Sequence, residues 1–146
     1  MAPSFLFVCL GNICRSPLAE GIAKRIAQKE GLDILIDSAG TGDWHLGEAP
    51  CADSIKVAKM NGLDISMLRA RQVTPDDFQK FTYIIALDDN NLNDLRAMGG
   101  SPLKLGDFGA EGKDVPDPYF FKEFEGFHHV YAMIEKCVTQ ALKTLA

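Results

Sequence analysis

The chain has 146 residues, of which 47% are hydrophobic, and a formal net charge of −5 at pH 7. This length predicts one domain over residues 1–146 with a single sizeable core. The acidic balance argues against nucleic acid and against membranes as partners, because both are bound through dense basic surfaces. The apolar run at residues 5–10 is too short to span a bilayer, and no basic segment precedes it. We therefore expect a cytoplasmic protein.

The first half of the chain predicts two strands, each followed by a helix. The apolar run "FLFVCL" is continuous, as in a strand that is covered on both faces. A helix follows, in which apolar residues recur from Leu18 at helical spacing. The polar residues, Glu20 among them, fall mostly on the other faces of this helix, and Gly31 ends the helix. "DILIDSAGTG" predicts a strand that runs into a glycine-rich loop, and "CADSIKVAKMNG" predicts a helix.

The second half continues the alternation. "TPDDFQKF" predicts a short helix with Thr74 as its N-cap, "TYIIALD" a buried strand, and "DNNLNDLRAMGG" a capped helix closed by Gly99. "SPLKLGDF" predicts a weaker fourth strand, and a closing helix is expected from Lys122 to Leu145. Strands that alternate with helices predict an α/β fold of three layers, with a parallel sheet between helices. Ligands bind such sheets beyond the carboxyl ends of the strands, where Cys9 lies.

The segment "CLGNICRS" has the features of an anion-binding loop. Backbone N–H groups in a tight loop at a helix start surround phosphate oxygens, and Gly11 permits dihedral angles that a side chain would forbid. Pro17 suits the first helical position, and Arg15 offers a planar fork for two phosphate oxygens. The same field favours the thiolate form of Cys9, which is a nucleophile.

Each residue of this pattern has a simpler explanation when taken alone. Cys9 could be a small buried hydrophobic residue, and Arg15 a solvated residue at the helix start. Cys-x5-Arg-Ser/Thr arises by chance in roughly one chain in a hundred of this composition. The flanking strand and helix make coincidence rarer still, so the pattern favours a cysteine nucleophile.

A phosphocysteine mechanism also needs a proton donor for the leaving oxygen. Asp117 is the candidate, because Pro116 and Pro118 fix its loop on both sides. An aspartate before proline is also common in solvated turns, which is the alternative explanation.

With these motifs in view, the chain resembles the low-molecular-weight protein tyrosine phosphatases. The resemblance covers nearly the whole chain and rests on "FVCLGNICRSPLAE", "DSAGTGDWHLGEAP", "RARQ", "ALDDNNLNDL" and "VPDPYF". It implies a four-stranded parallel sheet in the order 2-1-3-4. It also implies that this enzyme uses no cofactor and no metal.

The family resemblance implies a role for each site residue. Cys9 is the nucleophile, Asp117 the acid and then the base, and Arg15 with the loop amides binds phosphate. The loop residues are Leu10, Gly11, Asn12, Ile13 and Cys14. Ser16 bonds the thiolate, Trp44 and Tyr119 form the walls of an aryl slot, and Asn12 and Asp88 support the loop. The resemblance also implies a reversible disulfide between Cys14 and Cys9, although Cys14 by itself suits loop packing equally well.

The remaining cysteines and histidines suggest no site. Cys51 and Cys137 lack the spacing of a zinc site and are predicted to be structural. His128 and His129 are adjacent on a helix, which points them about 100° apart.

Two positions depart from the family pattern. Phe120 follows Tyr119 where many members have a second tyrosine, and Leu68 stands where some members carry a histidine that supports the phosphate loop.

The sequence predicts hydrolysis of protein phosphotyrosine and small aryl phosphates through a phosphocysteine. The expected partners are phosphotyrosine-containing proteins, and we expect a monomer or weak self-association. A protein-arginine phosphatase is an alternative, although Ile13 stands where that branch tends to have threonine. An arsenate reductase would need further cysteines, and residues 73–136 contain none. A non-catalytic phosphate-binding regulator would not need both Cys9 and Asp117.

Overall fold

The computed structural model describes residues 2–118 and 123–146. Its four parallel strands lie in the order β2-β1-β3-β4, which confirms the predicted three-layer α/β architecture. The elements in chain order are β1 (Ser4–Cys9), α1 (Arg15–Lys29), β2 (Leu35–Gly40), α2 (Ala52–Met60), α3 (Asp77–Lys80), β3 (Tyr83–Ala86), α4 (Asp89–Ala97), β4 (Leu103–Lys104), a 3-10 helix (Leu105–Phe108) and α5 (Glu125–Leu145).

The central strand β1 serves two cores, one on each face of the sheet. Its six residues are all buried, and their side chains alternate between the faces. Phe5 and Phe7 pack in a cluster with residues of α1, α2 and α5. Leu6 and Val8 pack on the opposite face with Leu95 of α4. A strand covered on both faces favours apolar side chains, which explains the unbroken apolar run after Ser4.

The register of β1 and β2 places Cys9 beside Gly40 at the carboxyl end of the sheet. The loop after β1 lies directly against this glycine. A Cβ atom on Gly40 would stand 2.8 Å from the carbonyl oxygen of Leu10 and 3.1 Å from the backbone nitrogen of Asn12. Glycine is therefore required at position 40, because the loop backbone occupies the space of a side chain.

Two helix starts differ from the prediction. Helix α1 begins at Arg15, so Pro17 is its third residue and not its first. The proline still breaks no hydrogen bond, because the first four N–H groups of a helix have no acceptor within it. Helix α3 has Asp76 as its N-cap, and Thr74 does not cap it. Instead, the carboxylate of Asp77 accepts a hydrogen bond from the Thr74 backbone N–H at 2.8 Å.

Two elements of the second half are shorter than predicted. Strand β4 has only two residues and turns at once into the 3-10 helix. Gly106 there packs so closely on the next segment that a Cβ atom would lie 1.8 Å from the Lys113 carbonyl oxygen. Helix α5 begins at Glu125, after the predicted start at Lys122, which lies outside the described residues. In the described part of the chain, no helix has the length and apolar character needed to cross a membrane.

Candidate active site

A cleft of about 360 Å³ opens at the carboxyl end of β1. Sequence analysis predicted all of its lining residues except His45. The lining consists of Cys9, Leu10, Gly11, Ile13, Cys14, Arg15, Trp44, His45 and Asp117. Tyr119, which was predicted to form a wall of the aryl slot, lies outside the described residues. The two other predicted site residues, Asn12 and Ser16, are buried and are not part of this lining.

The Cys9 sulfur lies against a hydroxyl group that is available to donate. Cys9 Sγ and Ser16 Oγ are 3.0 Å apart, and the Asn12 side-chain amide donates to the same Oγ at 2.8 Å. The hydroxyl proton therefore remains for another acceptor. The Ala39 carbonyl oxygen, at 3.5 Å, is a poor competitor. The Ser16 hydroxyl is therefore placed to donate to the Cys9 sulfur.

The Asn12 side chain fixes the loop between β1 and α1 by hydrogen bonds on its buried side. Its φ angle of 56° lies in the left-handed region, which asparagine tolerates better than most residues. Its amide donates to Ser38 Oγ at 2.9 Å, and its Oδ1 accepts from the Arg71 backbone N–H at 3.0 Å. These two partners supply polar support to the loop, whereas Leu68, where some family members have a supporting histidine, packs partly buried against the core.

A buried carboxylate continues this chain of hydrogen bonds. Ser38 Oγ donates to Glu20 Oε1 at 2.6 Å, and the Glu20 side chain is only 5% exposed. Sequence analysis missed both residues and placed Glu20 on the polar side of α1. No sequence motif relates the two residues, because Ser38 lies in β2, 18 positions after Glu20 in α1.

Arg15 is buried and held in a fixed orientation. Its Nη1 donates to Asp88 Oδ2 at 2.6 Å and to the Val115 carbonyl oxygen at 2.9 Å. Burial acts to lower the pKa of Arg15, but the charges of Cys9 and Asp88 outweigh it and hold the pKa above its usual value. Asp88 also caps α4 by accepting from the Asn91 N–H at 2.7 Å, so one carboxylate anchors both elements.

Asp117 reaches the same cleft on the loop after the 3-10 helix. Its Oδ2 lies 4.0 Å from Arg15 Nη2, and its side chain is 29% exposed. The backbone N–H of Val115 donates to the Leu87 carbonyl oxygen at 2.9 Å. Lys104 adds ion pairs to Asp114 at 2.7 Å and to Asp89 at 2.8 Å. The loop that carries Asp117 is thus fastened to β4 and α4.

The outer wall of the cleft is apolar. Trp44 is 67% exposed and packs over Gly42, where a Cβ atom would lie 2.0 Å from its Cζ3. The His45 ring packs beside Gly11, where a Cβ atom would lie 3.1 Å from its Cδ2. Its Nδ1 lies 3.0 Å from Glu48 Oε2. Exposed aromatic surface beside the loop suits the flat ring of an aryl ester.

Cys14 has a thiol partner that sequence analysis did not anticipate. Its Sγ donates to Cys51 Sγ at 2.7 Å. Cys51, predicted to be merely structural, stands at the N-cap of α2 beside the loop. Cys137 is fully buried in α5.

Comparison with known proteins assigns the chain to a family. The family model of the low molecular weight phosphotyrosine protein phosphatases matches residues 4–146. The chain belongs to this family. The low molecular weight protein-tyrosine-phosphatase YfkJ of Bacillus subtilis is 45% identical over 131 residues, which are 84% of each chain. The Schizosaccharomyces pombe low molecular weight phosphotyrosine protein phosphatase is 39% identical over 97% of this chain and 96% of its own.

Solved structures of the phosphatase family share the fold. The crystal structure of Bacillus subtilis YfkJ matches with a TM-score of 0.89 and 40% identity, covering 99% of this chain and 94% of that one. The Drosophila arginine phosphatase matches with a TM-score of 0.89 and 34% identity, covering 96% of each chain. The fold of this phosphatase family member therefore occurs both in tyrosine phosphatases and in an arginine phosphatase.

Proposed function

We propose that this protein hydrolyses phosphotyrosine in proteins, and small aryl phosphates, through a phosphocysteine intermediate. One observation carries the proposal: Cys9, Arg15 and Asp117 all open onto one cleft with an exposed tryptophan at its wall. A nucleophile, a cation and a carboxyl group in one cleft are the groups that phosphoryl transfer from an aryl ester requires.

In the first step the Cys9 thiolate attacks phosphorus and the bond to the phenolic oxygen breaks. Arg15 and the amides of residues 10–14 hold the equatorial oxygens, whose charge they stabilise in the transition state. Because Asp88 and Val115 hold Nη1, the guanidinium is oriented before substrate binds. Asp117, in its protonated form, gives its proton to the departing phenolate.

In the second step a water molecule attacks the phosphorus of the phosphocysteine. Asp117, now a carboxylate, accepts the proton of that water, and the sulfur of Cys9 leaves as a thiolate. The Ser16 hydroxyl, 3.0 Å from the sulfur, stabilises the charge that returns to it. Inorganic phosphate is released, and both side chains regain their starting forms.

The substrate class follows from the walls of the cleft. Trp44 and the apolar side chains of Leu10 and Ile13 favour an aryl group. The likeness to the Drosophila arginine phosphatase makes phosphoarginine the second candidate. Ile13 counts against it, because the arginine branch tends to have threonine at this position.

Two variants test the proposed roles. Cys9→Ser should abolish turnover while phosphate or vanadate still binds, because the amides and Arg15 remain.

Asp117→Ala should lose much activity on phosphotyrosine and less on an aryl phosphate whose leaving group has a low pKa, because a good leaving group needs little proton assistance. The measurement is kcat for both substrates with chelator present. Equal losses for the two substrates would remove Asp117 from the acid role.

Further features of the protein are part of the same proposal. We propose that residues 1–146 act as one phosphatase domain, since α1, α2 and α5 share one core with the sheet. A nucleophilic thiolate works only while reduced, which supports a cytoplasmic location and a redox-sensitive enzyme. We also propose a monomer or weakly self-associating protein.

A further inference from the structure

A second cavity, the α1–α5 groove, is lined by side chains from residues 22–29 of α1 and 132–140 of α5. Its volume is about 580 Å³, compared with about 360 Å³ for the cleft at the end of β1. Arg25 and Lys29 lie 10 and 14 residues after Arg15 in α1. A rise of about 1.5 Å per residue places them about 15 and 21 Å farther along the helix. The groove is therefore separate from the cleft.

The α1–α5 groove carries positive charge in an acidic chain. Its cationic side chains are Arg25 and Lys29 on the α1 wall and Lys136 on the α5 wall. Among the described residues that line it, Glu135 is the acidic one. The groove thus has a surplus of positive charge, although the whole chain has a formal net charge of −5. It attracts an anionic group that the chain as a whole repels.

Arg25 is already held in a fixed orientation at this groove. Its Nη1 donates to the Asn61 carbonyl oxygen at 2.8 Å, and its Nη2 donates to the Tyr131 hydroxyl oxygen at 2.8 Å. The contact of Nη2 with Glu135 Oε2 is longer, at 3.4 Å, and the Glu135 side chain is 48% exposed. An incoming carboxylate can replace this long contact while the other two persist. Less side-chain entropy is then lost on binding, because the guanidinium is ordered beforehand.

The floor of the α1–α5 groove is apolar. Ile22 is fully buried, Ile26 packs partly buried against the core, and Ala132 is exposed on α5. The carbon atoms of a polypeptide lose contact with water on such a floor, whereas an inorganic anion has no apolar surface to bury. The floor therefore favours an acidic polypeptide segment over a small inorganic anion.

The spacing of the cations fits an extended polypeptide. Arg25 and Lys29 are four residues apart on α1, which is about 6 Å along the helix axis. In an extended segment, residues i and i+2 point to the same side and lie about 6.6 Å apart, while residue i+1 points to the opposite side. Carboxylates at i and i+2 match Arg25 and Lys29 on one wall, and the carboxylate at i+1 matches Lys136 on the other.

We infer that the α1–α5 groove is a docking site for an acidic segment of a partner protein, in which three consecutive Asp or Glu residues bind Arg25, Lys29 and Lys136. A nucleic-acid duplex or an anionic bilayer fits less well, because either would extend beyond the groove over a chain whose net charge is −5. The inference does not depend on the proposed phosphatase activity, because the groove lies apart from the cleft.

Fluorescence anisotropy with a labelled peptide tests this site in the intact protein. The peptide has three consecutive glutamates between Gly-Ser flanks, and its matched control has three glutamines. The glutamate peptide should bind, more weakly as the salt concentration rises, and the glutamine peptide should not. Lys29→Glu and Lys136→Glu should each weaken binding by about 5-fold, and the double variant by about 20-fold, because each change replaces an attraction with a repulsion.

Lys143→Glu is the matched control, because this exposed lysine of α5 lies outside the groove. It should leave the affinity for the peptide unchanged. All three lysine variants should keep the circular dichroism spectrum and the turnover of a small aryl phosphate, since none of these lysines lines the cleft. Vanadate, which is expected to bind in the phosphate loop, should not displace the peptide.

Four results would overturn the inference. The first is that the glutamate peptide does not bind. The second is that Lys29→Glu and Lys136→Glu weaken its binding no more than Lys143→Glu does. The third is that vanadate displaces the peptide, which would place it in the cleft. The fourth is that the two groove variants weaken binding to phosphatidylserine vesicles more than binding to the peptide, which would make the groove a membrane site.

Discussion

At the scale of single residues, a line of hydrogen-bonded polar side chains runs beneath the cleft to the Cys9 sulfur. Glu20 accepts from Ser38, which accepts from Asn12. Asn12 also donates to Ser16, whose hydroxyl faces the Cys9 sulfur. All of these side chains are buried. The Ser38 hydroxyl proton is used on Glu20, and the Asn12 amide protons are used on Ser38 and Ser16, so none of them is left to donate to the Cys9 sulfur. The Ser16 hydroxyl proton is thereby directed at the sulfur.

Ser16→Ala should reduce kcat/KM by about 10- to 100-fold at neutral pH, because a hydrogen bond to a charged group is worth about 1.5 to 3 kcal/mol. The measurement is kcat/KM of Ser16→Ala and of wild type at neutral pH. Ser54→Ala is the matched control, since that hydroxyl contacts Cys14 and Cys51 and not Cys9. An unchanged kcat/KM in Ser16→Ala would contradict the role given to its hydroxyl.

Ile13 is expected to set the balance between two phosphorylated substrates. Ile13→Thr should raise the activity on phosphoarginine relative to phosphotyrosine several-fold, because a hydroxyl replaces part of an apolar wall. The ratio of kcat/KM for the two substrates measures the change. Leu32→Thr makes the same type of replacement at an exposed leucine outside the cleft lining and should leave the ratio unchanged. An unaltered ratio in Ile13→Thr would end its assignment as a selectivity residue.

At the scale of elements, the site is assembled where three segment ends meet. The end of β1 supplies Cys9, the start of α1 supplies Arg15, and the N-cap of α4 supplies Asp88. Lys104 of β4 fastens the loop that carries Asp117, through ion pairs to Asp89 and Asp114. Although burial opposes its charge, these two carboxylates hold the pKa of Lys104 above its usual value.

Lys104→Met should lower kcat on phosphotyrosine by about 10-fold, because a misplaced acid loses its alignment with the leaving oxygen. The loss should be smaller for an aryl phosphate with a low-pKa leaving group. Lys113→Met, in an exposed lysine on the same loop, is the control and should leave both activities unchanged. If Lys104→Met affects both substrates equally, the lysine does not act through the position of Asp117.

At the scale of the whole molecule, Arg71 connects the loop after β1 to β2 and α3. Its Nη atoms each lie 3.1 Å from one carboxylate oxygen of Asp77 in α3, and its Nε lies 3.1 Å from Asp37 in β2. Its backbone N–H supports Asn12. The pKa of Asp77 is lowered below its usual value, since the hydrogen bonds from Arg71 and Thr74 outweigh burial.

Asp77→Asn should lower the free energy of unfolding at pH 7 by about 1 kcal/mol or more, because it weakens a bidentate pair. A lowered folded-state pKa stabilises the protein above the unfolded value, about 3.9, and this stability is lost as pH falls through the folded pKa. The difference between wild type and variant should therefore shrink below about pH 4. Urea unfolding at several pH values measures it, with the exposed Asp76→Asn as control. A difference that is constant down to low pH would show that the carboxylate charge is not responsible.

Local patterns were enough to predict most of the fold. A buried parallel strand needs an unbroken apolar run, and a helix needs apolar residues at its own period, so Phe5 to Leu10 and the residues after Leu18 were interpretable without coordinates. The cap predicted at Thr74 is wrong because the Thr74 N–H donates to the Asp77 carboxylate, an alternative that the local pattern also allowed. The short β4 has a different cause, the close packing of Gly106 against Lys113.

The sequence by itself determined the family, the parallel sheet and most of the cleft lining, because these residues lie in short motifs around Cys9 and Asp117 that neighbours in the chain define. Only the tertiary structure decided which distant groups support them. Glu20 and Ser38 are 18 positions apart, and Cys14 and Cys51 are 37 apart. No period or motif relates such residues. They meet because the sheet brings the ends of separate strands and helices to one edge, where hydrogen-bonding geometry then selects the partners.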